Sequence, residues 1–155
     1  MKERVIIIMG VSGSGKSTIG QLLAQRIGAV FLDGDDFHPP SNIAKMRAGI
    51  PLDDDDRQGW LEALGREICS ATQTTIIACS ALKNSYRRIL EGADFVFLKG
   101  SRQLLAQRLS QRTDHYMPAS LLRSQLEALE EPSDALTLDI KKSPQILVDE
   151  IIAWM

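Results

Sequence analysis

Gly10-Val11-Ser12-Gly13-Ser14-Gly15-Lys16-Ser17 matches the pattern G-x-x-x-x-G-K-[ST], a loop for nucleotide phosphates. Its three glycines let the backbone curl so that N–H groups point inward at an anion. Lys16 can reach the β- and γ-phosphates of ATP, and the Ser17 hydroxyl can ligate Mg²⁺. The flanks suit that reading. Val5-Ile6-Ile7-Ile8-Met9 is a short apolar run of buried-strand type, and Thr18 to Ile27 has helical spacing with Ile19, Leu22, Leu23 and Ile27 apolar. Strand, glycine loop and helix start follow in the required order, and the helix N-terminus adds a favourable dipole for phosphate. The candidate nucleotide contacts are thus Gly10, Val11, Ser12, Gly13, Ser14, Gly15, Lys16, Ser17 and Thr18.

Beyond this unit strands and helices continue to alternate. Strands are expected at 29–32, 74–79, 95–98 and 136–140. Ser41 is expected to cap a short helix through Arg47, and the run Asp53 to Asp56 opens a long helix carrying Trp60, Leu61, Leu64 and Ile68. Further helices are expected up to Leu90, from Ser101 to Arg112, from Pro118 to about Glu130, and from Ser143-Pro144 to near Trp154. Such alternation implies βαβ units, right-handed crossovers and a mostly parallel sheet. No repeat, linker or low-complexity segment divides the 155 residues, so one α/β domain is expected over 1–155.

The composition narrows the classes. A net charge of −2 leaves no basic footprint, which argues against nucleic acid as the main partner. The apolar run at 5–9 is far too short for a membrane span, and the glycine loop interrupts it before a signal peptide could form. Cys69 and Cys79 sit among small or apolar residues and read as two reduced, mostly buried thiols. With no CxxC, and with His38 and His115 far apart, zinc has no support. A cytoplasmic enzyme is the simplest reading.

Ligands of parallel sheets bind beyond the carboxyl ends of the strands. That rule gathers the glycine loop, Asp33-Gly34-Asp35-Asp36 after the second strand and Ser80-Ala81-Leu82-Lys83 after the third into one cleft. Phosphoryl transfer needs neutralised phosphates, a held metal, a positioned nucleophile and stabilised charge. Asp33 is assigned to the Mg²⁺ side and Asp35 to an acceptor hydroxyl; the alternative is an acidic turn at a strand end. Arg108 and Arg112, four apart on a helix, lead into Thr113-Asp114-His115-Tyr116-Met117, which has no apolar periodicity. That segment, about 112–118, reads as a mobile arginine-bearing lid over ATP, which would exclude water. The alternative is a solvated helix face. Arg57 either balances the aspartates before it or holds an anionic substrate group, and Lys83 presents the same choice.

Taken together, several segments resemble the bacterial gluconokinases. They are the glycine loop, Phe31-Leu32-Asp33-Gly34-Asp35-Asp36-Phe37-His38-Pro39, Asn42-Ile43-Ala44-Lys45-Met46, and Gly49 to Arg57 with Trp60-Leu61. Cys79 to Lys83 with Tyr86-Arg87, His115-Tyr116-Met117-Pro118 and Ser124 to Glu130 continue the likeness over nearly the whole chain. The resemblance implies a three-layer P-loop kinase fold close to that of shikimate kinases, with a five-stranded, mostly parallel sheet flanked by helices and a mobile lid. It implies transfer of the ATP γ-phosphate to the 6-hydroxyl of D-gluconate, with Mg²⁺, in a protein that is commonly a homodimer. Lys16, Asp35 and Arg112 are then catalytic, Arg108 and Arg112 join the nucleotide contacts, and Ser17 and Asp33 face the metal. Arg57 faces the substrate carboxylate, while His38, Asn42, Met46 and Lys83 line the sugar-acid pocket beside Asp35. Asp114 departs from the glycine that gluconokinases carry before the lid histidine.

Three other readings compete. A shikimate-type kinase would carry a glycine-rich stretch where Ser80-Ala81-Leu82-Lys83 stands. A GTPase-like switch finds DxxG in Asp56-Arg57-Gln58-Gly59 but no N-K-x-D. A non-catalytic nucleotide binder is opposed by the intact Lys16, Ser17, Asp33 and Asp35.

Overall fold

The computed structural model of the chain describes residues 4–111 and 119–155. Its centre is β1, Val5–Met9, in which Ile6 to Met9 are wholly buried. A strand with no exposed face needs helices on both sides of its sheet, as parallel sheets do. The elements follow as α1 (Lys16–Ile27), β2 (Val30–Asp33), a 3-10 turn (Gly34–Phe37), α2 (Pro40–Arg47), α3 (Asp54–Ser70), β3 (Thr75–Ala78) and α4 (Asn84–Ile89). Then come β4 (Asp94–Lys99), α5 (Arg102–Ser110), α6 (Ala119–Ala128), β5 (Leu136–Asp139) and α7 (Pro144–Trp154). The five strands lie in the order β2-β3-β1-β4-β5, and every pairing is parallel. α1 packs on β1, β2 and β3 and against α7, while α3 packs on α4 and the 3-10 turn.

The connection after β1 runs to one side of the sheet and the one after β3 to the other. The carboxyl ends of β1, β3 and β4 therefore border a crevice, the usual ligand position in open parallel sheets. The three segments expected to share a cleft all leave the sheet at this end.

Helix starts follow local chemistry. Asp53 accepts from the Asp56 N–H at 2.7 Å and Asp56 accepts from the Asp53 N–H at 3.0 Å, a reciprocal capping box that accounts for part of the acidic run. Ser101 and Ser143 cap α5 and α7 through one bond each, accepting from the Leu104 and Ile146 N–H groups. Ser41 does not cap α2: the helix starts at Pro40 after Pro39, because proline's fixed φ suits a first turn. Cys79 is buried, and desolvation pushes its thiol up to about 12. Cys69 is exposed, contrary to expectation, because it lies outside the apolar stripe of α3 formed by Trp60, Leu61, Leu64 and Ile68. The expected lid at 112–118, with Arg112, Asp114 and His115, lies outside the described residues.

Candidate active site

The glycine loop closes on one carbonyl. The Val11 carbonyl oxygen accepts from Ser14 Oγ at 2.7 Å, from the Ser14 N–H at 3.2 Å and from Lys16 Nζ at 3.2 Å. Gly15 turns the chain into α1 at φ 97°. A Cβ there would meet nothing within 4 Å, so the glycine is required by conformation and not by space. Ser12 N–H donates to Gln125 Oε1 at 2.7 Å, bringing α6 against the loop.

Ser17 Oγ donates to Asp33 Oδ2 at 3.4 Å. The other oxygen of Asp33 accepts from the Asp35 N–H at 3.0 Å and so caps the 3-10 turn. One carboxylate thereby fixes the turn and faces the hydroxyl after Lys16. The turn sits tight on β3: a Cβ on Gly34 would lie 2.5 Å from the Ala78 carbonyl oxygen. Two hard oxygens, one hydroxyl and one carboxylate, suit Mg²⁺, which takes few protein ligands and completes its shell with phosphate and water. Among the described residues no group of three or more His, Cys, Asp or Glu could hold a metal alone.

A cleft of about 70 Å³ opens beside these groups, lined by Ser12, Lys16, Asp35, His38, Met46, Pro51, Leu52, Arg57, Trp60, Ser80, Leu82, Leu121, Ser124 and Gln125. The Asp35 side chain is 74% exposed. His38 is buried and stacks on Trp60, ring centroids 4.1 Å apart at 15°. Burial, reinforced by the Arg57 charge, lowers the His38 imidazole to about 4, so the ring is neutral near pH 7. Arg57 donates to Tyr86 Oη at 3.0 Å and lies 5.5 Å from that ring's centroid. Tyr86 in turn donates to Asp54, and this bond, with that from Lys83, holds Asp54 below the usual carboxylate range.

Two expected pocket residues sit elsewhere. Asn42 lies behind His38, 2% exposed, bonded to the imidazole and to the Asp56 carbonyl. Lys83 pairs with Asp54 at 3.0 Å and faces the Tyr86 ring; it is absent from the cleft lining. Tyr86, Trp60 and Gln125 carry no local signal of a role at the site and look like ordinary core or helix-face residues until the elements meet. Arg87 fastens the segment after β3 that lines the cleft through Ser80 and Leu82. It donates to the Ala81 carbonyl at 2.6 Å and the Glu130 carbonyl at 2.7 Å, and Ala81 has the left-handed φ of 45°. A second hollow, about 250 Å³, lies on the other side of the loop and is lined by Gly13, Gly15, Thr18, Arg108, Lys142 and Pro144 among others. Arg108 is tied to the Ile140 carbonyl at 2.6 Å. A larger hollow of about 720 Å³ near Arg88, Asp94 and Trp154 contains none of the candidate residues.

A parallel five-stranded sheet, a phosphate loop after its central strand and a carboxylate facing the loop's serine define a P-loop kinase, a phosphotransferase. A family model described as shikimate kinase matches residues 12–155. The chain is 44% identical over 162 residues to a gluconokinase of Gluconobacter oxydans, covering 98% of this chain and 91% of that one. It is 45% identical over 151 residues to the thermosensitive gluconokinase of Escherichia coli, covering 90% and 81%. The solved structure of a gluconokinase from Sinorhizobium meliloti superposes with a TM-score of 0.89 at 46% identity, covering 97% and 90%. The chain belongs to the gluconokinase family. Its parallel sheet and flanking helices are those expected from the sequence, and the shikimate-kinase match reflects a shared scaffold.

Proposed function

We propose that this protein transfers the γ-phosphate of ATP to the 6-hydroxyl of D-gluconate, giving 6-phosphogluconate and ADP. The observation that carries the reading is the juxtaposition, in one cleft, of Lys16 and Ser12 from the phosphate loop with Asp35, His38 and Arg57. The curated relatives named above are gluconokinases.

The residues divide the work as follows. Backbone N–H groups of the loop other than those of Ser12 and Ser14, with Lys16, hold the phosphates, and the hollow bordered by Thr18 and Arg108 takes the base and ribose. Ser17 and Asp33 would hold Mg²⁺, which when bound neutralises phosphate charge. Arg57, steadied by Tyr86, faces the gluconate carboxylate, because a guanidinium matches a carboxylate in two-pronged geometry. His38 and Met46 line the sugar-acid chain; Lys83 is held by Asp54 outside that lining, and Asn42 supports His38. The acceptor oxygen attacks the γ-phosphorus, the bond to the β–γ bridging oxygen breaks, and the hydroxyl proton passes to Asp35. Arg112, in the expected lid, is assigned to transition-state charge. The reading includes a cytoplasmic location and a homodimer, the latter as the family resemblance implies. Among the described residues no helix is long and apolar enough to cross a membrane.

The test is ADP release from purified protein with Mg-ATP and a panel of sugar acids, shikimate and nucleoside monophosphates. Turnover that depends on gluconate and exceeds that with every other acceptor is expected. A clear preference for another acceptor, or none for gluconate, overturns the reading.

A further inference from the structure

The Asn42 amide nitrogen lies 2.7 Å from the Asp56 carbonyl oxygen and 3.2 Å from His38 Nδ1. A backbone carbonyl only accepts, so the amide must turn its NH₂ group toward it. The second hydrogen of that same group then faces Nδ1. Nδ1 therefore holds a lone pair, and the proton of the neutral ring sits on Nε2. Nε2 faces the opposite way, 3.9 Å from Asp35 Oδ1. The ring is held in that orientation by the stacked indole of Trp60. Trp60 is itself anchored, its Nε1–H donating to the Gly34 carbonyl at 2.7 Å. The turn that presents Asp35 thus also anchors the plate on which His38 rests.

A separation of 3.9 Å is too long for a direct hydrogen bond. It is short enough for both groups to reach one hydroxyl oxygen placed beside them. We propose that Asn42 fixes His38 as its Nε2–H tautomer, and that this N–H donates to the same acceptor hydroxyl that Asp35 faces. The proposal rests on the sugar-acid kinase reading for the identity of that hydroxyl. Imidazole then fills one lone pair of the oxygen, Asp35 accepts its proton, and the remaining lone pair is aimed at phosphorus. The opposite tautomer would present a lone pair at Nε2 and compete with Asp35 for the same proton. Asn42 is accordingly a positioning residue: it acts through the ring and not on the substrate.

The chain has two histidines, so its imidazole spectrum is simple. With ¹⁵N-histidine in the full chain at neutral pH, the signals lost in His38→Gln belong to His38. They should show a protonated Nε2 and an unprotonated Nδ1 in the wild-type protein; a protonated Nδ1, or averaging between tautomers, overturns the proposal. Asn42→Asp puts an acceptor at Nδ1 and should draw the proton there, with a fall in kcat/KM for gluconate. An unchanged His38 spectrum in that variant removes Asn42 from the role. His38→Leu should lower kcat/KM about tenfold, the worth of one lost hydrogen bond. His38→Gln, whose amide nitrogen reaches the Nε2 position, should recover most of the loss, and equal losses in both variants argue against a donor. A wild-type protein that does not use gluconate defeats the functional reading, while the wild-type spectrum still decides the tautomer.

Discussion

Asp35 and Arg57 face the same cleft with opposite charge, and their variants should separate two parts of the reaction. Asp35→Asn keeps the shape of the side chain and removes the proton acceptor. Its kcat should fall at least about 10²-fold, the range for a lost general base, with nucleotide affinity by calorimetry unchanged. Near-normal kcat would mean that Asp35 only positions the hydroxyl. Arg57→Ala should instead raise KM for gluconate, about tenfold or more, as expected for a lost charge-assisted hydrogen bond. An unchanged KM would leave Arg57 as the partner of Tyr86 and nothing more. At this scale the sequence was informative where chemistry is local. Lys16, Ser17 and Asp33 could be named from their spacing, and Ser17 does reach Asp33 at 3.4 Å. It was silent where a role depends on a neighbour far along the chain. Tyr86 lies 29 residues from Arg57, and no periodicity marks a tyrosine as a guanidinium's support.

Among the elements, the 3-10 turn carries the most. Asp33 caps it, Asp35 projects from it, His38 follows it as the C-cap, and its carbonyl at Gly34 receives Trp60 from α3. Gly34 owes its place to a close approach of backbones. Gly34→Ala sets a methyl 2.5 Å from a carbonyl oxygen of β3, which cannot move aside as a flexible side chain would. The variant should lose about 1–3 kcal/mol, a typical cost of overpacking, seen as a lower urea midpoint. Gly59, inside α3, has open space around its Cβ position. Gly59→Ala should therefore hold or raise the midpoint, since alanine is favoured over glycine in a helix interior by about 0.5–1 kcal/mol. The reverse order of the two would show that the turn is not packed as described. Helix ends were legible when a capping side chain stands next to the first turn, as at Ser143. Ser41 failed as a cap because a serine one residue past two prolines is already inside the first turn.

For the whole molecule, the phosphate loop joins β1 to α1 and touches α6 through Gln125, so nucleotide binding should be felt globally. Mg-ADP at about 100 times its Kd should add about 2.7 kcal/mol, or roughly 5–10 °C in Tm for a chain of this size. Lys16→Ala should abolish most of that shift in a thermal melt; a full shift in the variant would remove Lys16 from the phosphate site. By itself the sequence determined the order of strands and helices, the phosphate loop between the first strand and the first helix, and the class of protein it marks. These follow from periodicity, glycine placement and spacing within single segments, all of them short-range. Only the tertiary structure decided how the rest of the cleft is built. It moved Asn42 from the pocket to the back of His38 and tied Lys83 to Asp54. It also set Arg57 on Tyr86 and closed the cleft with Gln125. Each of those contacts joins elements brought together by the crossovers of a parallel sheet, so no local pattern in the chain encodes it.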